Sequence, residues 1–329
     1  MHSRASEISA LVEGVLKGED RALAAALEKV EDMRSDALPA QRELLRSLEA
    51  QTPPEHFVVG LTGPPGVGKS SLAAALIRLW TAAGGSVGMT AVDPSSRRSG
   101  GALLGDRARL SVQPGDRVFV RSMAARQRLG GLAPATRAAV VILRSAFPWT
   151  LVETVGVGQS EIDIETVADC VVLIVQPGSG DTLQFMKAGI LEIPEILIVH
   201  KWDLGALAER TRSELEPILA LSPRPEEEWQ PPVLGVSSHT GEGVAELADT
   251  IDRYRELSAL SGELETRRMR GRVAWALELL VDRYGSLGVE RVGGRERAEE
   301  LVRTGEGTAL DAFSELATRA GLEPAPPKA

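Results

Sequence analysis

Gly63-Pro64-Pro65-Gly66-Val67-Gly68-Lys69-Ser70 is the stretch whose residue types and spacing point most directly to chemistry. It satisfies G-x-x-x-x-G-K-[ST], the pattern of a phosphate-binding loop. Glycine lets the backbone fold round a polyphosphate and turn its N–H groups toward the oxygens. Where such a loop opens a helix, the helix N-terminus adds a partial positive charge. Lys69 is placed to neutralise the outer phosphates and Ser70 to offer its hydroxyl to a magnesium ion, with Thr62 and Ser71 flanking the loop. The context agrees, because the apolar run 57–61 precedes the loop and a helical pattern over 71–79 follows it. A nucleotide-binding site is the expectation.

Three shorter motifs follow at the ends of later apolar runs. Glu153-Thr154-Val155-Gly156 resembles the D-x-x-G switch of GTPases, with glutamate for aspartate. Its acid could orient magnesium or its water, and its glycine lets a backbone N–H approach a γ-phosphate. His200-Lys201-Trp202-Asp203 occupies the slot of the guanine-reading N-K-x-D motif. Asp203 would accept hydrogen bonds from the N1 and N2 donors of guanine, which adenine lacks, and a carboxylate left without them would be penalised. Lys201 would lay its stem over the ring. His200 stands where asparagine is usual, and keeps a donor and an acceptor on a bulkier frame. Ser237, Ser238 and His239 begin a loop that could offer a backbone N–H to guanine O6. Asp93 and Asp106 bracket a Ser/Arg/Gly-rich stretch and could join the magnesium shell through water, since magnesium gives up water reluctantly. Pro177-Gly178-Ser179-Gly180-Asp181, leading to Gln184 and Lys187, has the glycine density of a switch loop.

These residues need a scaffold that gathers strand ends. Apolar runs at 57–62, 86–92, 117–122, 149–154, 170–176, 195–200 and 232–237 alternate with helical patterns, and several are near-continuous and β-branched, as when both faces of a parallel sheet are covered. The expected fold is therefore α/β, a doubly wound, mostly parallel sheet flanked by helical extensions at both ends. Residues 1–52 form the N-terminal helical region, with Gly18-Glu19-Asp20 separating two helices. The nucleotide-binding domain spans 53–258, a C-terminal helical arm spans 259–322, and the Pro-rich tail 323–329 is expected to be disordered. The arm is either a helical coat on the nucleotide-binding domain or a dimerisation element, and periodicity does not separate the two.

Composition narrows the partners. A net charge of −9 over 329 residues and 4% aromatic residues argue against a nucleic-acid surface. No apolar run approaches membrane-spanning length, and a cytoplasmic protein is expected. One cysteine, Cys170, lies within an apolar run and reads as a buried thiol, while His2, His56, His200 and His239 show no metal-ligand spacing.

Taken together, Thr62 to Ser71, Asp93 to Asp106, Val152 to Glu161 and Gln176 to Asp203 make the chain similar, essentially end to end, to the methylmalonyl-CoA mutase-associated GTPases of the MeaB/MMAA type, once labelled arginine/ornithine transport kinases. The resemblance implies a GTP-hydrolysing chaperone, with GTP/GDP and Mg2+ bound, that loads and protects an adenosylcobalamin-dependent acyl-CoA mutase, methylmalonyl-CoA mutase first among candidates. It also implies a homodimer formed through the C-terminal arm. By carry-over, Lys69, Asp106 and Glu153 are catalytic, and Ser70, Asp93, Asp106 and Glu153 line the metal. Thr62 to Ser71, Lys201, Asp203 and Ser237 to His239 hold the nucleotide, and 178–188 corresponds to a switch that senses the mutase. Arg121 to Gly130 departs from the family's usual Ser/Gly/Pro-rich loop. Val157 and Gly158 separate the switch glycine from Gln159, which implies slow intrinsic hydrolysis that a partner accelerates. A small-molecule kinase, and an interaction module with incidental hydrolysis, are the rival readings.

Overall fold

The computed structural model describes residues 2–32, 34, 36–93, 117–124, 132–154, 163–178, 193–219, 225 and 228–322. In chain order its helices are α1 (His2–Leu16), α2 (Asp20–Glu31), α3 (Leu38–Glu49), α4 (Lys69–Ala82), α5 (Pro134–Ala146), α6 (Ala206–Leu219), α7 (Val244–Ser261), α8 (Glu263–Val292), α9 (Arg295–Thr304) and α10 (Ala309–Arg319). The strands are β1 (Phe57–Thr62), β2 (Val87–Asp93), β3 (Val118–Ala124), β4 (Trp149–Glu153), β5 (Cys170–Val175), β6 (Ile196–His200) and β7 (Val233–Val236). Each expected strand is present, with no end displaced by more than two residues. The chain forms two compact units, one comprising 1–56, 134–147 and 265–329, the other 57–133 and 148–264.

The second unit holds a seven-stranded sheet in the order β3-β2-β4-β1-β5-β6-β7, and every pair is parallel. Parallel strands need covered faces, and the sequence meets this with β-branched runs; β1, β5 and β6 are buried along their whole length. On one face Leu72, Leu76 and Trp80 of α4 and Leu247 and Ile251 of α7 pack against Phe57, Val59, Leu151, Val172 and Ile198. On the other, Ala208 and Leu215 of α6 cover Leu173, Val175, Leu197 and Val199. Cys170 is a buried cysteine in β5, as its apolar setting implies. Buried carboxylates tie the amino-terminal ends of strands, since Val58 N donates to Asp169 Oδ2 at 2.9 Å and Val171 N to Glu195 Oε2 at 2.8 Å. The chain leaves β1 toward β2 on one side and leaves β4 toward β5 on the other. The carboxyl end of β1 thus lies at the reversal of strand order, where open α/β sheets bind ligands.

The helical unit contains α1–α3, α5 and α8–α10. Gly18 (φ 70°) ends α1 and Asp20 opens α2, as the Gly-Glu-Asp signal implies. Val273, Ala276, Leu277 and Leu280 of α8 pack with Ala312, Phe313 and Leu316 of α10. Arg46 of α3 bonds Asp311, which also closes a capping box with Thr308 at the start of α10. Helix α8 is broken at Gly285 (φ 66°). Among the described residues, no helix is long and apolar enough to cross a membrane.

Candidate functional site

The loop between β1 and α4 turns on three glycines with left-handed backbone: Gly63 (φ 143°), Gly66 (φ 75°) and Gly68 (φ 106°). A Cβ on Gly63 would sit 2.2 Å from Ile174 O in β5, and one on Gly68 would sit 2.4 Å from His200 Cε1. The loop therefore needs glycine at these two places for its φ and for the close approach of its neighbours. Val67 drops its side chain into the core while its backbone stays in the loop. Gly68 caps α4 with no side-chain acceptor, so the first N–H groups of the helix face outward without an intrahelical partner. Lys69 is buried and its Nζ lies across the loop, donating to Gly63 O at 2.8 Å and Pro64 O at 3.0 Å. Thr62 is buried and its hydroxyl accepts from Thr154 Oγ1 at 3.1 Å.

Leu61 of β1 lies opposite Glu153 of β4, which brings the acid beside the helix start. Ser70 Oγ donates to Glu153 Oε1 at 2.6 Å. A hydroxyl and a carboxylate at this separation, beside a phosphate loop, are the hard oxygen donors that suit magnesium, which takes one or two protein ligands and completes its shell with phosphate and water. Among the described residues, no group of three His, Cys, Asp or Glu side chains gathers to make an all-protein metal cage. Asp93 ends β2 beside this pair, since Ala91 pairs with Glu153; its side chain lies outside the description. Asp106, the segments 155–162 with Gln159 and 179–192 with Lys187, the 125–130 part of the atypical loop and the tail 323–329 also lie outside the described residues.

The motif after β6 converges on the same loop. Lys201 has φ 57°, the sole left-handed non-glycine backbone among the described residues. Its Nζ donates to Gln176 Oε1 at 2.8 Å and to Gly66 O at 3.3 Å. Holding a side-chain-bearing residue in that region costs about 1–2 kcal/mol, the kind of strain that collects at functional sites. Ser237 Oγ donates to Asp203 Oδ1 at 2.5 Å. That bond is the main reason the exposed Asp203 carboxyl titrates below its ordinary range, so it is an anion at neutral pH. Trp202 packs its ring over Gly235 of β7, where a Cβ would lie 2.3 Å from the indole. Ser237 accepts at its carbonyl from Gly241 N at 2.9 Å, which shapes the loop carrying Ser238 and the exposed His239.

His200 fastens the two halves of the site. Its Nδ1 lies 2.8 Å from Val67 O in the phosphate loop and its Nε2 lies 2.6 Å from Ser238 Oγ. Burial holds its imidazole below the ordinary value, an effect that Lys201 reinforces and the Val67 bond and Asp203 oppose. Sequence reasoning singled out His200 as a departure that keeps a donor and an acceptor, and both are used here; it passed over Gln176 as the tether of Lys201. The signal for Gln176 was only its place at the end of β5, which neighbours β6.

Residues 23–290 match the family described as methylmalonyl Co-A mutase-associated GTPase MeaB. A protein of Pyrococcus abyssi that carries a GTPase name is 40% identical over 93% of this chain and 94% of its own length. One of Mycobacterium bovis, also named as a GTPase, is 38% identical over 96% of each chain. The mouse methylmalonic aciduria type A homolog, named as mitochondrial, is 35% identical over 83% of this chain and 69% of its own. Among solved structures, a LAO/AO transport system kinase superposes with a TM-score of 0.66 at 23% identity, over 95% of this chain and 98% of that one, a likeness of fold.

Proposed function

Because the chain belongs to the methylmalonyl-CoA mutase-associated GTPase MeaB family, we propose that it hydrolyses GTP at the site built on Lys69, Ser70, Glu153, Lys201 and Asp203, as a chaperone for an adenosylcobalamin-dependent acyl-CoA mutase. The observation that carries the site is the joining of its two ends: the Asp203 carboxylate and the phosphate loop are held in one frame through Ser237, Ser238 and His200. Guanine lies against that carboxylate, giving it N1–H and N2–H, with the Lys201 stem over the ring. The polyphosphate lies in the loop, where the N–H groups from Gly66 to Ser71 and the α4 N-terminus face its oxygens. Lys69 exchanges its bonds to Gly63 O and Pro64 O for phosphate oxygens. Magnesium, when bound between Ser70 and Glu153, supplies charge neutralisation of the outer phosphates.

Hydrolysis asks for little covalent chemistry from the protein, since fixed charge stabilises the transferring phosphoryl while water attacks in line. Asp93 and Asp106 are proposed to complete the metal's water shell. The mutase client accelerates turnover through the switch segments, and the cytoplasmic protein pairs as a homodimer through its C-terminal arm. The test is phosphate release from GTP and ATP, with and without a cobalamin-dependent acyl-CoA mutase, together with calorimetry in magnesium. Hydrolysis that prefers GTP and rises with the mutase supports the proposal. Transfer of the phosphoryl to an amino acid in place of water would support the kinase reading instead.

A further inference from the structure

The imidazole of His200 has no capacity left for a ligand. Val67 O is a carbonyl and only accepts, so the Nδ1 atom 2.8 Å from it carries the ring proton. In the neutral ring Nε2 is then an acceptor, and the Ser238 hydroxyl 2.6 Å away donates to it. A neutral imidazole has one donor and one acceptor, and both are engaged within the protein. The ring also lies against Gly68, where a Cβ would come within 2.5 Å of Nδ1, so it has no room to swing toward the loop. The charged groups that act on it are Lys201 and Asp203, on its own connection. An asparagine at this position has two N–H donors and an acceptor oxygen. It could span the same two loops and still give an N–H to an acceptor on the purine, of which N7 is one.

We propose that His200 is a positioning residue that clamps the phosphate loop to the base loop and makes no hydrogen bond to the purine, so that guanine is selected in this chain by Asp203 and loop backbone while N7 goes unread by the side chain at 200. The proposal rests on the reading that guanine lies against Lys201 and Asp203. It differs from the ordinary arrangement of such sites in its donor count, which follows from the chemistry of imidazole and the two bonds it makes here.

The experiment is calorimetry in magnesium on the full chain with GDP, 7-deaza-GDP (a C–H in place of N7) and ADP, paired with GTP turnover. The wild-type chain is expected to bind GDP and 7-deaza-GDP within about twofold of each other. His200→Asn is expected to favour GDP over the deaza analogue about fivefold, the worth of one neutral hydrogen bond. His200→Ala should weaken both ligands together by about tenfold, with two bonds between the loops lost, and should raise KM while kcat changes less than twofold. A wild-type chain that prefers GDP to the deaza analogue fivefold or more would overturn the proposal, because the purine N7 would then be read. His200→Gln supplies the same comparison should the asparagine variant not fold, and the wild-type ratio needs no variant. Equal binding of GDP and ADP by the wild-type chain would instead overturn the underlying assignment of the base site.

Discussion

Replacing Gly68 with alanine tests the junction between phosphate loop and base loop most directly. Its φ of 106° lies in the left-handed region, where a side chain adds about 1–2 kcal/mol of strain. The new Cβ would lie 2.4 Å from His200 Cε1 and 2.5 Å from Nδ1, so the ring must move. Moving it breaks the bonds to Val67 O and Ser238 Oγ, each worth about 1 kcal/mol. Gly68→Ala should therefore cost about 3–4 kcal/mol, and His200→Ala about 2 kcal/mol, from the same two bonds. In the double variant those bonds are lost only once. The double variant should thus cost about 3–4 kcal/mol, where simple addition of the single variants gives about 5–6, a coupling of about 2 kcal/mol. Urea unfolding of the four proteins, followed by a probe in the sheet unit, measures it; for a unit of this size each kcal/mol also moves the melting temperature by about 2–4 °C. Additive single variants would show that the ring of His200 does not press on Gly68, and the account of the clamp would fail.

The remaining predictions concern the two ends of the site. Asp203→Asn should weaken GDP by about a hundredfold, since charge-assisted bonds to N1 and N2 are lost. Because an amide presents an N–H where the carboxylate presented an oxygen, the same variant should gain affinity for xanthine nucleotides; competition binding with XDP and GDP decides it. Glu153→Gln keeps the shape of the side chain bonded to Ser70 but removes its charge. It should raise the magnesium concentration for half-maximal GTP hydrolysis by tenfold or more, and an unchanged magnesium curve would remove Glu153 from the metal region. Ser237→Ala deletes the main cause of the lowered Asp203 pKa. The carboxylate is the binding form, present above its pKa and lost as pH falls through it, so wild-type affinity for GDP should persist into more acid solution than that of the variant. Measuring the ratio of the two at each pH cancels the titration of the phosphates themselves, and superimposable profiles would refute the prediction.

Much of this protein is legible in its sequence because the deciding forces are local. Three glycines before a lysine and a helical pattern specify a loop with left-handed backbone, and Gly63, Gly66 and Gly68 adopt it. β-branched runs such as Cys170–Val175 specify strands covered on both sides, and β5 is buried throughout. Neighbourhood is another matter, because it follows from strand order, which residues distant in sequence set jointly. Helix α5 lies between β3 and β4 in the chain yet belongs to the helical unit, since its apolar face packs with α1 to α3. Ser70 and Glu153 are 83 residues apart and meet at 2.6 Å only because β1 and β4 pair in register. Gln176 holds Lys201 because β5 and β6 are adjacent. His200 could be read from the sequence as an unusual residue in a known slot. That its two nitrogens would be claimed by Val67 and Ser238 was decided by the packing of three loops at one edge of the sheet, since a hydrogen bond depends on distance and direction that one-dimensional spacing does not contain.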